Sequence, residues 1–227
     1  MFPPMPKVLP LAATIALLAL TSCGVPSQPP RSNRPPTGPV TRSPAPPPEL
    51  RQCLADLSAA GAVYARHPDQ DFGNGCRTVG TVKLASLRGD DRRFTITNIG
   101  PVTCDAAQKF SGWARFGVDR AAREYLGSGL ARIETYGSYQ CRNVAGTSRR
   151  SGHASANAID VAAFVLENGK RVSVLDDWDG GTREEREFLR VVWRSACKRF
   201  GTVLGPEYNA AHKNHFHLEA DRADFCR

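Results

Sequence analysis

Apolar residues are distributed in two ways along this chain. They form one long run near the start and recur periodically further on. Lys7 precedes an apolar run that extends from Val8 to Leu20. A positive charge followed by an apolar run too short to span a bilayer comfortably is typical of an export signal. We therefore predict that residues 1–22 form a signal peptide.

The predicted signal leads into the tetrad Leu20-Thr21-Ser22-Cys23. This tetrad resembles a bacterial lipobox, in which the cysteine is lipidated and becomes the first residue of the mature protein. An ordinary signal peptide with a chance cysteine is the alternative. A triacylated Cys23 would anchor the protein to a membrane, because several acyl chains anchor firmly where one does not. The resemblance implies a periplasmic protein, and Gly24, in place of the aspartate of inner-membrane retention, favours the outer membrane.

Residues 23–48 are dominated by proline, serine and arginine. A segment of this composition cannot bury a hydrophobic core. We expect an extended tether of about 3 Å per residue where it is polyproline-like. The tether would separate the folded part of the chain from its lipid.

The remaining residues, 49–227, show helical and strand patterns. Apolar residues at helical spacing, stopped by Gly61, predict a helix over 49–60. Asp119 and Gly127 are the predicted N-cap and C-terminal stop of another helix. The early part of the domain is thus predicted to contain strands over 62–65, 79–87 and 130–136 and helices over 105–113 and 119–126.

The later patterns complete one predicted domain. Asn168-Gly169 is a strong hairpin signal between strands predicted over 159–166 and 171–175. Thr182 and Glu185 form a capping box that opens a helix predicted to end at Phe200. A short strand over 202–204 follows. We predict an α+β fold with a central, mainly antiparallel sheet flanked by helices.

The chain has seven cysteines, and all except Cys23 lie in this domain. None shows the CxxC spacing of a structural zinc site or a redox motif. Three disulfides are expected in a chain that is exported to an oxidising compartment. The favoured pairing joins sequence neighbours, namely Cys53 with Cys76, Cys104 with Cys141, and Cys197 with Cys226.

The formal net charge is +8, without a long lysine or arginine run and without a nucleic-acid-binding motif. We therefore predict no nucleic-acid partner. An acidic polymer of the cell wall is the natural partner of an exported basic protein. A solvated basic surface with no partner is the alternative.

Two short motifs contain four of the five histidines. In the first, only small or apolar residues separate His153 from Asp160, so nothing bulky blocks approach to a common point. The fifth histidine, His67, lies in a predicted loop. The second motif, near the C-terminus, contains His212, His215 and His217.

These residue types point to zinc. Catalytic zinc sites use three protein ligands, commonly histidine nitrogens and a carboxylate, so that a fourth position can hold water. His153 and Asp160 supply two ligands, and one C-terminal histidine would complete the set. On a strand, His215 and His217 would share a face, so that one binds the metal while the other acts as general base. His212 would support the ligands from outside; a chance spacing and a surface histidine patch are the alternatives.

The pattern Ser151-x-His153-x-x-Ala156-x-Ala158-x-Asp160 resembles the S-x-H-x-x-G-x-A-x-D motif of the D-Ala-D-Ala carboxypeptidase and murein endopeptidase group of zinc peptidases. His215-x-His217 resembles their second motif, in its murein endopeptidase form. The stretch from about Cys53 to the C-terminus is similar, more closely still, to the bacterial extensin-like C-terminal domain family. The resemblance implies a fold like that of the hedgehog domain and the D-Ala-D-Ala peptidases.

By position, the resemblance implies one zinc ion per chain, held by His153, Asp160 and His217. His215 would be the catalytic partner, although His215 as the third ligand stays open. Arg142 would bind the substrate or the oxyanion, because guanidinium stays charged and donates in a fork; a surface arginine beside a disulfide is the alternative.

Three further motif residues have predicted roles. Ser151 would donate or accept a supporting hydrogen bond near the ligands. Ala156 replaces the usual glycine, which is a mild change if the backbone φ at this position is negative. Glu219 is either an acid-base group or a surface charge.

Together these features predict a membrane-anchored, periplasmic zinc metallopeptidase that hydrolyses peptide bonds in peptidoglycan stem peptides or cross-links. The alternative is a non-catalytic lipoprotein that contains zinc and binds peptidoglycan, because a fold does not by itself imply an activity.

Overall fold

The computed structural model describes residues 45–227, which form one compact unit. The predicted signal peptide, Cys23 and most of the predicted tether lie outside these residues. The α-helices of the described part are Pro48–Ala59 (α1), Cys104–Trp113 (α2), Arg120–Leu126 (α3), Val174–Gly180 (α4) and Arg183–Cys197 (α5). None of the described helices is both long and apolar enough to cross a membrane.

Ten strands form a single sheet. In chain order they are Val63–Arg66 (β1), Thr81–Arg88 (β2), Arg93–Thr97 (β3), Val102–Thr103 (β4), Leu130–Gly137 (β5), Ala158–Leu166 (β6), Arg171–Ser173 (β7), Thr202–Leu204 (β8), Phe216–Glu219 (β9) and Phe225–Cys226 (β10). The order across the sheet is β1-β2-β3-β5-β6-β9-β8-β10, with β4 beside β2 and β7 beside β6. Only β3–β5 and β8–β10 are parallel among these described pairs. The predicted α+β fold with a mainly antiparallel sheet is confirmed.

The ends of two helices follow from the local signals in the sequence. Thr182 and Glu185 form the predicted capping box at the start of α5, in which each side chain accepts a hydrogen bond from the backbone N–H of the other. Gly127 ends α3 in the left-handed conformation, as predicted.

Asp119 lies at the predicted N-cap position of α3, but its side chain makes no capping hydrogen bond. It lies at the end of a π-helical turn, Ala114–Asp119, that joins α2 to α3 without a break. Its fully buried carboxylate instead accepts hydrogen bonds from the backbone N–H groups of Asp90 and Leu130. A buried carboxylate needs such donors. The Asp119 side chain therefore bonds to these distant backbone groups instead of capping α3.

The strand predicted over 171–175 is shorter than expected. It ends at Ser173, because the Ser173 hydroxyl accepts a hydrogen bond from the backbone N–H of Asp176 and thereby caps α4. Helix α5 ends at Cys197 rather than at Phe200. After its end, the backbone N–H groups of Arg199 and Phe200 both donate to the carbonyl of Ala196. Strand β3 and helix α4 were not predicted.

One face of the sheet packs against helices. Val161 of β6 and Phe216 of β9 are fully buried in the hydrophobic core. Phe164 of β6 packs edge-on against Phe188 of α5, and Phe216 packs against Trp178 of α4. Helices α4 and α5 therefore cover this face of β6 and β9.

Three disulfides join Cys53 to Cys104, Cys76 to Cys141, and Cys197 to Cys226. The prediction is correct for the last pair and wrong for the other two. Helix α1 packs against α2, which brings Cys53 to the first residue of α2, Cys104, with Cα atoms 6.2 Å apart. The loop before β2 meets the segment after β5, where Cys76 and Cys141 have Cα atoms 5.4 Å apart. Tertiary packing, and not sequence distance, selects the partners.

Candidate metal centre

Two neighbouring strands present Asp160 and His217 side by side. In the pairing of β6 with β9, Asp160 lies directly opposite His217. The adjacent residues Val161 and Phe216 point into the core. Because successive strand residues point to opposite faces, Asp160 and His217 point away from the helices. The sheet therefore holds a carboxylate and an imidazole on a rigid support.

His153 reaches the same point from a 3-10 turn, Gly152–Ser155. The predicted supporting role of Ser151 takes a specific form, because its hydroxyl accepts a hydrogen bond from the His153 backbone N–H and so caps the turn. A Cβ at Gly152 would overlap the carboxyl group of Glu219 on β9. A larger residue at this position would force that carboxyl group to move.

Ala156 ends the turn in the left-handed conformation, with a φ of 56°. The negative φ that would have made the replacement of glycine mild is therefore not found here. Two backbone hydrogen bonds hold the residue in place, because its N–H donates to the His153 carbonyl and its own carbonyl accepts from the Thr103 N–H. A residue with a Cβ pays about 1–2 kcal/mol for this conformation, which fits the glycine found in the related motif.

Two neighbouring segments enclose the turn. The Arg77 N–H donates to the Ala154 carbonyl at 2.8 Å, and the Gln140 N–H donates to the His153 carbonyl at 3.1 Å. The disulfide between Cys76 and Cys141 joins these two segments to each other. The disulfide therefore links the two segments that hydrogen-bond to the turn of His153.

The structure brings His153, Asp160 and His217 together. The Nε2 atom of His153 lies 3.1 Å from Oδ2 of Asp160 and 3.2 Å from Nδ1 of His217. The Nδ1 atom of His217 lies 2.9 Å from Oδ1 of Asp160. Zinc bonds of about 2.0–2.2 Å in a tetrahedral site place ligand atoms about 3.3 Å apart. The residue types and the spacing of this set both fit zinc.

Each imidazole of the set has its second nitrogen occupied. Nδ1 of His153 lies 2.7 Å from the Ser138 carbonyl oxygen and donates to it, which leaves the Nε2 lone pair facing the centre. Nε2 of His217 lies 3.4 Å from Oε2 of Glu219, which leaves Nδ1 facing the centre. Such contacts select the tautomer and orient histidines that bind metals.

His215 lies beside this set, immediately before β9. Its Nε2 atom is 3.5 Å from Oδ1 of Asp160, and its Nδ1 atom is 2.7 Å from Oδ1 of Asn214. The ring packs edge-on against the exposed Tyr136. The ring nitrogen that faces the centre is therefore fixed for His215 as well, while the three closest ligand groups are those of His153, Asp160 and His217.

The other predicted site residues lie around the cluster. The ring of His212 is 5.2 Å from that of His215, and its Nδ1 atom lies 2.7 Å from Oδ1 of Asn209. Arg142 is half-buried, and its Nε donates to Oε1 of Gln140 at 2.8 Å. Its positive charge is near enough to help lower the pKa values of His212 and His215.

Asp160 and His217 form an ion pair. Burial opposes ionisation of Asp160, but the adjacent imidazoles of His153 and His217 outweigh it and hold the Asp160 pKa well below its usual range. Burial also opposes protonation of His217, yet its hydrogen bonds to Asp160 and Glu219 raise the pKa to about 9. A divalent cation bound here would replace the proton of His217.

His212 and His215, the two histidines outside the ligand set, are neutral at pH 7. Burial lowers the pKa of His215, and the nearby Asp160 only partly offsets this effect. Burial, with a contribution from the neighbouring His215 and His217, lowers the pKa of His212 to about 4. A neutral imidazole beside a metal site can accept a proton.

Sequence reasoning missed most of the groups that hold the histidines. Ser138 acts through its backbone carbonyl, which no side-chain pattern indicates. Asn214 stands next to His215 in the motif, and its amide was a signal that could have been used. Glu219 was assigned no definite role, whereas the structure places its carboxylate between His217 and Gly152. Only the tertiary structure shows that Ser138, Asn214 and Glu219 contact the histidines.

A family model described as Extensin-like protein C-terminus matches residues 51–227. The matched range includes the whole histidine cluster and all three disulfides. Neither a curated protein nor a solved structure matches the chain. The chain therefore belongs to the family of extensin-like protein C-termini.

Proposed function

We propose that this protein is a zinc-dependent hydrolase that cleaves peptide bonds in peptidoglycan stem peptides or cross-links. The observation that carries the proposal is the cluster of His153, Asp160 and His217, with the neutral imidazole of His215 beside it. Catalytic zinc sites have this composition, with three protein ligands and one open position.

His153, Asp160 and His217 would hold the ion. Bound zinc supplies Lewis acidity, which lowers the pKa of a bound water to about 7 and polarises a carbonyl group. Nε2 of His215 would accept the proton of the attacking water and return it to the leaving amine. The contact between His215 Nδ1 and Asn214 keeps the ring in the orientation that this role requires.

Three features support a cell-wall peptide as the substrate. The guanidinium of the half-buried Arg142 suits a carboxylate of a stem peptide, because it stays charged and donates in a fork. The two histidine motifs resemble those of murein peptidases. The predicted signal peptide and lipidated Cys23, both outside the described residues, would place the enzyme in the periplasm, on the outer membrane, beside peptidoglycan.

A non-catalytic zinc site in a peptidoglycan-binding protein is the second candidate. It is favoured by the burial of the ligands, because His153 and His217 are only 3% and 6% exposed. Closed sites are typical of structural zinc. The two candidates share the ligands and differ in the role of His215.

The test uses residues 45–227, which form one compact unit, produced in an oxidising compartment. Bound metal is measured by elemental analysis, and soluble fragments of purified peptidoglycan are followed by mass spectrometry. We expect about one zinc per chain and fragments that disappear in His215→Ala while zinc and fold are kept. His67→Ala, at a histidine far from the cluster in sequence, is the matched control and should change neither.

The other outcomes are equally informative. Zinc without fragments would contradict the hydrolase and support the binding protein. Fragments that persist unchanged in His215→Ala would contradict its role as the base. A protein that takes up no zinc would contradict both candidates.

A further inference from the structure

Helix α5 carries a row of cations on the side away from the core. Its inner side is defined by buried residues, among them Phe188, Val192 and Ala196. With 3.6 residues per turn, residues spaced three or four apart share one side of a helix. Opposite the buried side lies what we call the cation row, which consists of Arg183, Arg186, Arg190 and Arg194 of α5 and of Lys198, the residue directly after the helix.

Part of this row carries uncompensated charge. Arg183 and Arg190 form ion pairs with acidic neighbours, Arg183 with Glu187 and Arg190 with Asp179 and Glu207. Within residues 45–227, no carboxylate lies within the 4.0 Å ion-pair distance of the other three cations, Arg186, Arg194 and Lys198.

An exposed phenylalanine lies beside the C-terminal end of the row. Phe116 is 45% exposed, and the guanidinium carbons of Arg115, Arg120 and Arg199 lie 5.0, 4.8 and 5.9 Å from its ring centre. Lys198 and Phe116 line one open cavity of about 420 Å³. We call this surface the basic face and define it as Phe116 with Arg115, Arg120, Lys198 and Arg199.

Close packing between two helical segments creates the basic face. Phe116 belongs to the π-helical turn Ala114–Asp119, and the next residue is Gly117. A Cβ at Gly117 would overlap the Ser195 side chain of α5. Glycine therefore allows the turn to lie on α5 and brings Phe116 beside Lys198. Such π turns occur frequently at functional sites.

The charges of the basic face are unequally balanced. Arg115 and Arg120 both form ion pairs with Asp90, at 2.9 and 2.7 Å. In the described residues, Lys198 and Arg199 have no carboxylate within the 4.0 Å ion-pair distance. The excess positive charge of the face thus lies mainly on Lys198 and Arg199, next to the exposed ring.

We infer that the basic face binds the surface of an anionic lipid bilayer, with Phe116 among the headgroups and the surrounding cations on lipid phosphates. Each cation near such a surface is attracted by its negative potential. An aromatic ring gains by burial at the boundary between headgroups and acyl chains. A soluble polyanion would engage the cations but would bury little of the ring, so the combination favours a bilayer.

The basic face and the metal centre lie on opposite sides of the sheet. Helix α5 covers one face of the sheet, whereas Asp160 and His217 point away from the helices on the other. A domain that docks through the basic face would hold the metal centre away from the bilayer and toward the cell wall. The inference requires neither a metal nor an activity, so it stands apart from the proposed function.

The experiment measures vesicle binding by residues 45–227, which lack the predicted lipid anchor. Chelator-treated protein is sedimented with vesicles of phosphatidylcholine alone or mixed with phosphatidylglycerol, at low and high salt. We expect binding to the mixed vesicles only, weakened by salt. Lys198→Gln/Arg199→Gln should weaken binding about thirtyfold, and Phe116→Ala should weaken it about fivefold. Arg66→Gln/Lys83→Gln, which removes two exposed cations of β1 and β2, is the matched control.

Each outcome decides the inference. Thermal unfolding first shows that the variants are folded, and Arg199→Gln alone replaces the double variant if it is not. Equal losses in the two double variants would show that net charge alone acts and would overturn the inference. Unchanged binding by Phe116→Ala would point to a general polyanion site and overturn it too, as would absence of binding to the mixed vesicles.

Discussion

On one face of the sheet His153 and His217 are buried and contact the half-buried Asp160, whereas on the helical side the cations around Phe116 are half-buried or exposed. The buried groups each make more than one polar contact at a defined distance. Of the cations around Phe116, Arg115 and Arg120 share one carboxylate, and Lys198 and Arg199 have no acidic partner within the described chain.

The difference shows two physical uses of polar side chains. Burial makes each unsatisfied polar group costly, so a buried cluster must be fully bonded and holds one geometry. Exposed charges are screened and individually weak, but they add over a surface and attract an oppositely charged partner. We therefore expect changes on the histidine side to be large and specific, and changes on the helical side to be small and additive.

The largest effect is expected from His153→Ala. It removes one of three ligands, so zinc affinity should fall by more than the roughly hundredfold typical of losing a supporting contact. Isothermal titration with zinc checks this, with His67→Ala as the control that retains affinity. If His153→Ala binds zinc as tightly as the unaltered protein, the assignment of the centre is wrong.

Gly152→Ala tests how closely the turn must lie on β9. The added methyl would displace the Glu219 carboxyl group, and overpacking of this kind costs about 1–3 kcal/mol. Denaturant unfolding with intact disulfides measures the loss. Gly180→Ala, where a Cβ meets nothing within 4 Å, is the control and should be neutral or slightly stabilising. Equal stabilities of the two variants would refute the close packing.

Ala156→Gly tests the strain in the same turn. Ala156 and Ala158 are both fully buried, so replacement of either by glycine loses one buried methyl group. Only Ala156 has a left-handed backbone. We expect Ala156→Gly to be about 1–2 kcal/mol less destabilising than Ala158→Gly, because it alone relieves that conformation. The same unfolding assay compares them, and no difference would argue against strain at Ala156.

The smallest effect is expected on the helical side, from Asp90→Asn. Hydrogen bonds from Arg120 and Arg115 lower the pKa of Asp90 from 3.8 to about 2. A lowered carboxyl pKa stabilises the fold above the unfolded value and loses that contribution as pH falls through the folded value. The difference in melting temperature between the two proteins should therefore be present at pH 7 and vanish toward pH 2. A difference that is independent of pH would contradict this.

Asp90→Asn also connects the two properties of the helical side. Without this carboxylate, Arg115 and Arg120 would add their full charge to the basic face. Binding to phosphatidylglycerol-containing vesicles should then become tighter while zinc affinity stays the same. A change in zinc affinity would show that the two sides of the sheet are coupled.

Local signals in the sequence predicted the elements that depend on neighbouring residues. The capping box of Thr182 and Glu185, the stop at Gly127 and the hairpin at Asn168-Gly169 all act over a few residues. The role of Asp119 was misread, because its carboxylate bonds to backbone groups that are distant in the chain. A propensity rule cannot include such contacts.

The amino-acid sequence by itself determined the α+β class and the residue types of the candidate centre, because periodicity and motif composition are properties of short segments. Only the tertiary structure decided which cysteines pair, that Ala156 is left-handed, and that Glu219 packs on Gly152. It alone placed Phe116 among cations contributed by two helical segments. These features depend on which segments meet in space, and sheet register and helix packing set those meetings over the whole chain.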